Sequence, residues 1–288
     1  TDFKSRAKEL GMIGAAFGLG FIIGPVIGGL LSGWSYSLPA FVAAGLATLN
    51  WLAVFFFLPE SLTDEMRVAI SKQPRAAFSA KALWEALNRP RVGPLLHIRI
   101  FFARASGMFQ SIFALYAQQH LGLNSQVTGY VLGYVGLLVV IVQAGLIGRL
   151  TARFSEKQLI FASTILLTFS FVAWALTPSL PVLLVVLIPL SLGTGIMNTV
   201  INSALTKAVY PEEVGGTLGL SASLESLSRV IAPTLGGVLL GRVGAWAPGI
   251  LSALLMAWLV SFVYRRLIVK PDPPLPARGD LQWAKAQA

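Results

Sequence analysis

Cysteine is absent from the 288 residues of this chain, and histidine occurs only twice. Without cysteine the chain can form neither a disulfide nor a thiolate metal site. His97 and His120 are far apart in the sequence, and no carboxylates cluster with either of them. The sequence therefore predicts no metal, no cofactor and no nucleophile–base pair, and we do not expect an enzyme.

Charged residues are also scarce, at 12% of the chain, whereas 55% of the residues are hydrophobic and the mean hydropathy is +0.73. A soluble domain cannot bury so much apolar surface, because burial is limited by its surface-to-volume ratio. Apolar segments of about 20 residues, long enough to cross a bilayer, recur along the chain. The sequence predicts an all-α, polytopic helical membrane protein with spans at 10–32, 39–58, 93–118, 127–147, 159–177, 181–206, 217–241 and 246–264.

A net charge of +10 is typical of proteins that bind nucleic acid, but the placement of the charges argues against such a partner here. If the residues before the first span are cytoplasmic, 18 of the 22 Lys and Arg residues lie on the inner side. Only Arg242 lies outside, and Arg99, Arg104 and Arg229 lie within spans. This asymmetry follows the positive-inside rule. It predicts a multi-pass protein of the cell membrane with both ends of this chain cytoplasmic, and the lipid bilayer as its partner in place of nucleic acid.

The first and seventh spans repeat one pattern of small residues and proline. The matched pairs are Gly11 with Gly219, Gly20 with Ser228, Gly24 with Ala232, Pro25 with Pro233, Gly28 with Gly236 and Gly29 with Gly237. Many secondary transporters are built from such parallel repeats. Spans three to six lack repeat partners, so we expect four further helices before Thr1 and a protein of twelve helices in two halves.

The pattern in the first span, "GMIGAAFGLGFIIGPVIGG", also forms a recognisable motif. A glycine is followed after eight residues by a second, after three by Gly-Pro, and after two by Gly-Gly. The chain thereby resembles the major facilitator superfamily, and within it the drug:proton antiporters, including tetracycline-efflux-like members. The antiporter motif of that group is matched by Gly11, Gly20, Gly24, Pro25, Gly28 and Gly29.

The resemblance implies the fold of that superfamily with its amino-terminal four helices missing, so that the chain holds helices five to twelve. Residues 1–58 would be the last two helices of the amino-terminal bundle, and 59–92 a cytoplasmic inter-bundle loop. Residues 93–264 would be the carboxy-terminal six-helix bundle, and 265–288 a disordered cytoplasmic tail. The motif helix is expected at the interface between the halves, where it seals the outer side. Its glycines at 20, 24 and 28 are predicted to form a stripe for close helix contact, and Pro25 a bend.

A second, partial motif of the superfamily is matched by Gly148, Arg153 and Lys157 in "GRLTARFSEKQLI". The family's acidic position is Ala152 here, and its second glycine is Ser155. The match predicts a cytoplasmic loop motif between spans four and five.

Ionisable groups within spans are costly and are therefore functional candidates. We expect Arg99, one turn into span three, to extend to the cytoplasmic face as a structural residue, and Arg104, near the midplane, to line the cavity. Glu225 and Arg229 have the i, i+4 spacing of an ion pair. This pair is either structural or a gate in which protonation of Glu225 releases Arg229.

Amides within the spans are candidates either for the cavity or for contacts between helices: Gln110, Gln143, Asn198 and Asn202. Relatives often carry an acidic residue near the position of Gln110, and glutamine cannot exchange a proton. A coupling carboxylate would then be Glu225 or would lie in the missing half. The coupling proton is thus implied by the resemblance alone.

These observations predict a secondary active transporter that exports small amphipathic or drug-like molecules, coupled to protons, by alternating access. Its partners would be the small-molecule substrate and the amino-terminal half of the same protein. One alternative is a sugar or metabolite uniporter or symporter of the same superfamily. Another is a truncated membrane protein that does not transport.

Overall fold

The computed structural model describes residues 16, 19–20, 22–57, 80–210 and 213–270. Within them the chain is helical, with short connections between successive helices. The helices are α1 (Ile22–Ser32), α2 (Leu38–Phe57), α3 (Ala80–Asn88), α4 (Val92–Leu121), α5 (Ser125–Arg153), α6 (Glu156–Ala175), α7 (Leu180–Lys207), α8 (Val214–Arg242) and α9 (Ala247–Ile268).

Six of these helices are long and apolar enough to cross a membrane, namely α2, α4, α5, α6, α7 and α9. The described part of α1 is shorter than a bilayer span. Helix α8 is long but is not among the six, since Glu225, Arg229 and several serines and glycines interrupt its apolar residues. The predicted all-α membrane fold is confirmed, and a helix lies at each predicted span within the described residues.

Local sequence signals set the ends of the helices. Gly122 ends α4 with a φ of 65°, a left-handed conformation that glycine adopts without strain. Asn124 caps α5 by accepting a hydrogen bond from the backbone N–H of Val127. Ser155 and Gln158 form a reciprocal capping box at the start of α6. These caps keep the connections from α4 to α6 down to a few residues, so consecutive helices run antiparallel.

Helices α4 to α9 pack into one bundle, in which α4 contacts α5, α7, α8 and α9. Large aromatic residues fill its core, and Trp174, Tyr116, Phe113 and Phe171 are all fully buried. The Tyr116 hydroxyl donates a hydrogen bond to the Trp174 carbonyl oxygen at 3.0 Å. Small residues bring helices together elsewhere: a Cβ added at Gly249 would lie 2.7 Å from the Cβ of Ala175. Such close packing is how helices associate in lipid.

Three helices of this bundle are interrupted along their length. Pro189 lies inside α7 and Pro233 inside α8, and each removes a backbone donor from its helix. Helix α5 contains a π-helical segment at Val142–Leu146, and α9 ends in another at Tyr264–Ile268. A π-helical turn accommodates one extra residue and is frequent at functional sites.

Helix α1 contacts the bundle through α5, at a point where two glycines meet. A Cβ added at Gly129 would lie 2.6 Å from the carbonyl oxygen of Pro25 and 2.7 Å from the Cα of Gly29. At Gly133 an added Cβ would lie 2.3 Å from a methyl group of Val26. Glycine is therefore required at both α5 positions for α1 to approach this closely.

The glycine stripe predicted for α1 makes no close contact with the other residues that the structure describes. A Cβ added at Gly20, Gly24 or Gly28 meets no atom within 4 Å among the described residues. Contact instead involves Pro25 and Gly29, one residue further along, which is a rotation of about 100° around the helix. Helix α2 buries none of its residues in the described structure.

The linker between these helices and the bundle is described only from residue 80 onward. There it forms the short surface helix α3, in which Leu83 and Leu87 pack against the bundle and Trp84 is exposed. The rest of the predicted inter-bundle loop, the predicted tail beyond residue 270, and Gly11 of the antiporter motif lie outside the described residues.

Candidate functional site

A cavity of about 800 Å³ lies within the bundle, bounded by α4, α5, α6, α7 and α8 and by Pro25 of α1. Much of its wall is apolar and includes Phe102, Phe109 and Phe171. The volume falls within the usual range for small-molecule sites, which are mostly apolar with a few placed polar groups.

One face of α4 supplies much of the cavity wall. Arg99, Ser106 and Gln110 line the cavity, as do Phe102 and Phe109 between them. The spacing follows the helical repeat, since Gln110 is eleven residues from Arg99 and lies only about 20° from it around the helix. Gln110 therefore lies at the cavity, one of the two locations that the sequence analysis left open.

Arg99, Glu225 and Arg229 form a continuous charge network at the cavity. The Glu225 carboxylate accepts a hydrogen bond from Arg99 through one oxygen and from Arg229 through the other, the latter at 2.7 Å. A second nitrogen of the Arg99 guanidinium donates to the side-chain oxygen of Asn198. The network thus links α4, α7 and α8, and all four of its side chains line the cavity.

The two arginines of this network differ in their surroundings. The Arg99 side chain is 7% exposed, and its Nε has no hydrogen-bond partner among the described residues. The Arg229 side chain is 70% exposed, and that of Glu225 is 24% exposed. Loss of its partner costs a buried guanidinium far more free energy than it costs an exposed one. Glu225 is therefore held chiefly by Arg99, while Arg229 is free to leave it at little cost.

The predicted pairing of Glu225 with Arg229 is present, but the expectation for Arg99 is wrong. Arg99 does not extend to the cytoplasmic face. Its side chain turns inward, because α8 and α7 present a carboxylate and an amide on the face of α4 that carries it. Sequence alone could not reveal this pair, since Arg99 and Glu225 are 126 residues apart.

Arg104 is not among the residues that line the cavity, contrary to expectation. It lies five residues after Arg99, which is about 140° around the helix from the cavity face. Its guanidinium carbon instead lies 5.9 Å from the ring centroid of Phe101, within the range of a cation–π contact. Phe101 in turn packs against Trp258 of α9.

The predicted amides divide between the cavity and the exterior. Asn198 and Gln143 line the cavity with Gln110, and Gln143 belongs to the π-helical segment of α5. Asn202 is exposed and is not among the lining residues, although it lies one turn beyond Asn198 on α7. The π-helical turn is thus one of the features that positions a polar side chain here.

The residues of the predicted loop motif cluster where α5 meets α6. Gly148 and Arg153 are exposed in the last turns of α5, and Lys157 is half-buried in the first turn of α6. None of the three lines the large cavity. Among the residues that the structure describes, no group of three or more His, Asp and Glu side chains is arranged to hold a metal ion.

A bundle of long apolar helices around a charged, partly aromatic cavity defines a class of protein, the multi-pass helical membrane protein with an internal cavity. The chain belongs to the Major Facilitator Superfamily, whose model matches residues 1–153 and 105–287.

Relatives of this chain include transporters from animals and resistance proteins from bacteria. It is 28% identical to solute carrier family 22 member 18 of Rattus norvegicus over 97% of this chain and 67% of that protein. It is 30% identical to the class D tetracycline resistance protein of Salmonella ordonez, over 95% of this chain and 68% of that protein. It is 27% identical to multidrug resistance protein 2 of Bacillus subtilis, over 83% of this chain and 59% of that protein. The chain thus spans 59–68% of the length of these relatives.

The fold is also similar to that of the human organic anion transporter MFSD10 (TETRAN). The two structures agree with a TM-score of 0.65 at 21% sequence identity, over 87% of this chain and 62% of that one. The relatives are transporters and not enzymes, as the sequence predicted.

Proposed function

We propose that this chain is part of a proton-coupled transporter that exports small amphipathic or drug-like molecules by alternating access. The observation that carries the proposal is the cavity of about 800 Å³, which is lined both by aromatic side chains and by a network of three charged groups. The aromatic wall suits the apolar part of such a substrate. The resistance proteins among the relatives support export as the direction.

In this proposal the chain contributes helices five to twelve of a twelve-helix protein. Residues 1–58 belong to the amino-terminal bundle, 59–92 form the inter-bundle loop, and 93–264 form the carboxy-terminal bundle with a tail at 265–288. The contact of Pro25 and Gly29 with Gly129 then lies between the two halves. Both ends of this chain lie on the cytoplasmic side of the cell's inner membrane. Sequencing the DNA upstream of the Thr1 codon tests the arrangement, since it requires four further apolar spans in frame.

Glu225 is the proposed proton-linked residue of this half. When it is ionised it holds both Arg99 and Arg229, and protonation removes the charge that attracts them. The exposed Arg229 is then released first, because its side chain is already 70% solvated. Release of an arginine into the cavity alters the charge that a bound substrate meets and thereby links substrate affinity to proton binding.

The test uses the complete transporter in everted membrane vesicles, with uptake of tetracycline and of ethidium driven by an imposed proton gradient. We expect Glu225→Gln to abolish gradient-driven uptake while equilibrium substrate binding persists. The matched control is Glu85→Gln, on the exposed surface of α3. Gradient-driven uptake by Glu225→Gln at the rate of the parent protein would refute the role of this carboxylate.

A second candidate is the transport of amphipathic anions, favoured by the cavity's charge. Two guanidinium groups and one carboxylate line it, which leaves one net positive charge in a partly desolvated site. One structural neighbour is named an organic anion transporter. Competition between amphipathic anions and cations of matched size for uptake separates this candidate from the first. A sugar or metabolite uniporter would show flux independent of the proton gradient, and a symporter would carry its substrate in the same direction as the protons. A non-transporting protein would show no flux.

A further inference from the structure

A second, smaller pocket of about 110 Å³ lies at one end of the bundle, apart from the large cavity. It forms where four helix ends meet, namely the starts of α4 and α6 and the ends of α7 and α9. By the positive-inside rule this end faces the cytoplasm. The pocket shares no lining residue with the large cavity.

Basic side chains from four different segments line this pocket. They are Arg91 just before α4, Lys157 of α6, Lys207 of α7 and Arg266 of α9. The pocket contains one carboxylate, Glu156, which already accepts hydrogen bonds from Lys207 at 2.8 Å and from a serine hydroxyl. The lining of the pocket thus includes more basic than acidic side chains, and an anion in the pocket would relieve the repulsion between its two arginines.

The two arginines are available to such an anion. Among the residues that the structure describes, neither Arg91 nor Arg266 has a hydrogen-bond or ion-pair partner for its guanidinium. Guanidinium groups match the geometry of phosphate oxygens and can bind them in pairs. The available volume suits one phosphate group rather than a larger organic molecule.

Part of the pocket wall is apolar. Leu95, Ile160 and Leu267 line it and are buried in the bundle. A phosphate held by the basic side chains would thus lie beside apolar surface. Basic pockets between helices on the cytoplasmic side are suited to the headgroups of anionic lipids.

We propose that this pocket binds a phosphate group, carried either by an anionic phospholipid of the cytoplasmic leaflet or by a soluble phosphate ester. The site is independent of the transported substrate, because none of its residues reaches the large cavity. It would tie the ends of α4, α6, α7 and α9 together from the cytoplasmic side.

The test is titration of the purified full-length transporter in neutral detergent with dihexanoyl phosphatidylglycerol, dihexanoyl phosphatidylcholine and glycerol 3-phosphate, followed by calorimetry. Each basic side chain near a membrane surface contributes about fivefold to anionic-lipid binding. We therefore expect the double variant Arg91→Gln/Arg266→Gln to bind the phosphatidylglycerol about 30-fold more weakly. Variants with lysine at both positions keep the charge but lose the paired donors of guanidinium, so their affinity should lie between that of the parent and that of the glutamine variant.

The matched control is Arg149→Gln/Arg265→Gln, which removes the same charge from exposed arginines outside the pocket. We expect it to weaken binding by less than about threefold. Equal losses in the two double variants would overturn the proposal, since general surface charge would then explain the binding. The proposal would also be overturned if the parent protein bound none of the three probes saturably.

The two sources of phosphate give different results. Tight binding of the phosphatidylglycerol but not of glycerol 3-phosphate identifies a lipid, and equal binding of both identifies a soluble ester. Thermal melting of every variant without added ligand controls for misfolding. Binding in this assay needs no gradient or substrate, so its outcome is separate from that of the transport experiment.

Discussion

The charge network at the cavity makes a quantitative prediction about which of its members stabilises the fold. The three variants are Glu225→Gln, Arg99→Gln and Arg229→Gln, each of which removes one charge and keeps a polar side chain. The structure predicts that Glu225→Gln costs the most and Arg229→Gln the least. The order follows from how deeply the charges of each broken pair are buried, since Arg99 is 7% exposed and Arg229 is 70% exposed.

Loss of the Glu225 charge leaves Arg99 buried with only Asn198 as a strong acceptor. Removing one member of a fully buried pair costs about 3–5 kcal/mol. Because Glu225 is 24% exposed and faces the cavity, we expect about 2–3 kcal/mol after allowance for solvent screening. Arg99→Gln leaves Glu225 with Arg229 and should cost about 1–2 kcal/mol. Arg229→Gln removes a pair whose cation is 70% exposed and should cost less than about 0.5 kcal/mol.

The assay is thermal unfolding of the purified transporter in detergent, followed by intrinsic tryptophan fluorescence. At about 2–4 °C per kcal/mol, Glu225→Gln should lower the Tm by about 4–12 °C, and Arg229→Gln by no more than about 2 °C. The double variant Arg99→Gln/Glu225→Gln should lose less than the sum of its singles, by about 1 kcal/mol or more. Strict additivity, or a loss in Arg229→Gln equal to that in Glu225→Gln, would refute this account of the network.

Three further predictions concern packing and substrate contact. Gly129→Ala should abolish the close approach of α1 and lower the Tm by several degrees, because its Cβ would lie 2.6 Å from a backbone oxygen. The control Gly237→Ala should change the Tm little, because a Cβ added there meets no atom within 4 Å. Gln110→Ala should raise the KM for substrate uptake several-fold, because the side chain lines the cavity, and Asn202→Ala should leave the KM unchanged. Tyr116→Phe should cost about 1 kcal/mol in thermal unfolding, because it removes the buried hydrogen bond to the Trp174 carbonyl; an unchanged Tm would show that this bond contributes nothing.

The features that the sequence predicts well are those set by neighbours along the chain. Hydropathy locates the helices, and the i, i+4 spacing of Glu225 and Arg229 is sufficient to predict their ion pair. The glycine and proline positions of the first span correctly indicate a close helix contact, at Pro25 and Gly29. All of these depend on residues within one helix or within one repeat.

The features that the sequence does not predict depend on how each helix is rotated about its own axis. Depth in the membrane favours Arg104 over Arg99 as the cavity residue, but depth does not specify which face of α4 meets α8. In the structure Arg99 faces the cavity and Arg104 lies about 140° away. Helix rotation likewise decides which residues of α1 meet α5, where the contact involves Pro25 and Gly29. Hydropathy gives little help here, since both faces of such a helix are apolar.

The π-helical turn of α5 means that this helix contains one residue more than a regular helix of the same path would need. Each residue accounts for about 100° of rotation, so the extra one sets the two halves of the helix out of phase. Deleting a single residue from Val142–Leu146 would leave the half that carries Gly129 and Gly133 in place. The same deletion would turn the half that carries Gly148 and Arg153 by more than a quarter of a circle. Insertions and deletions at this point are therefore a means of changing one end of the transporter while leaving the other end intact.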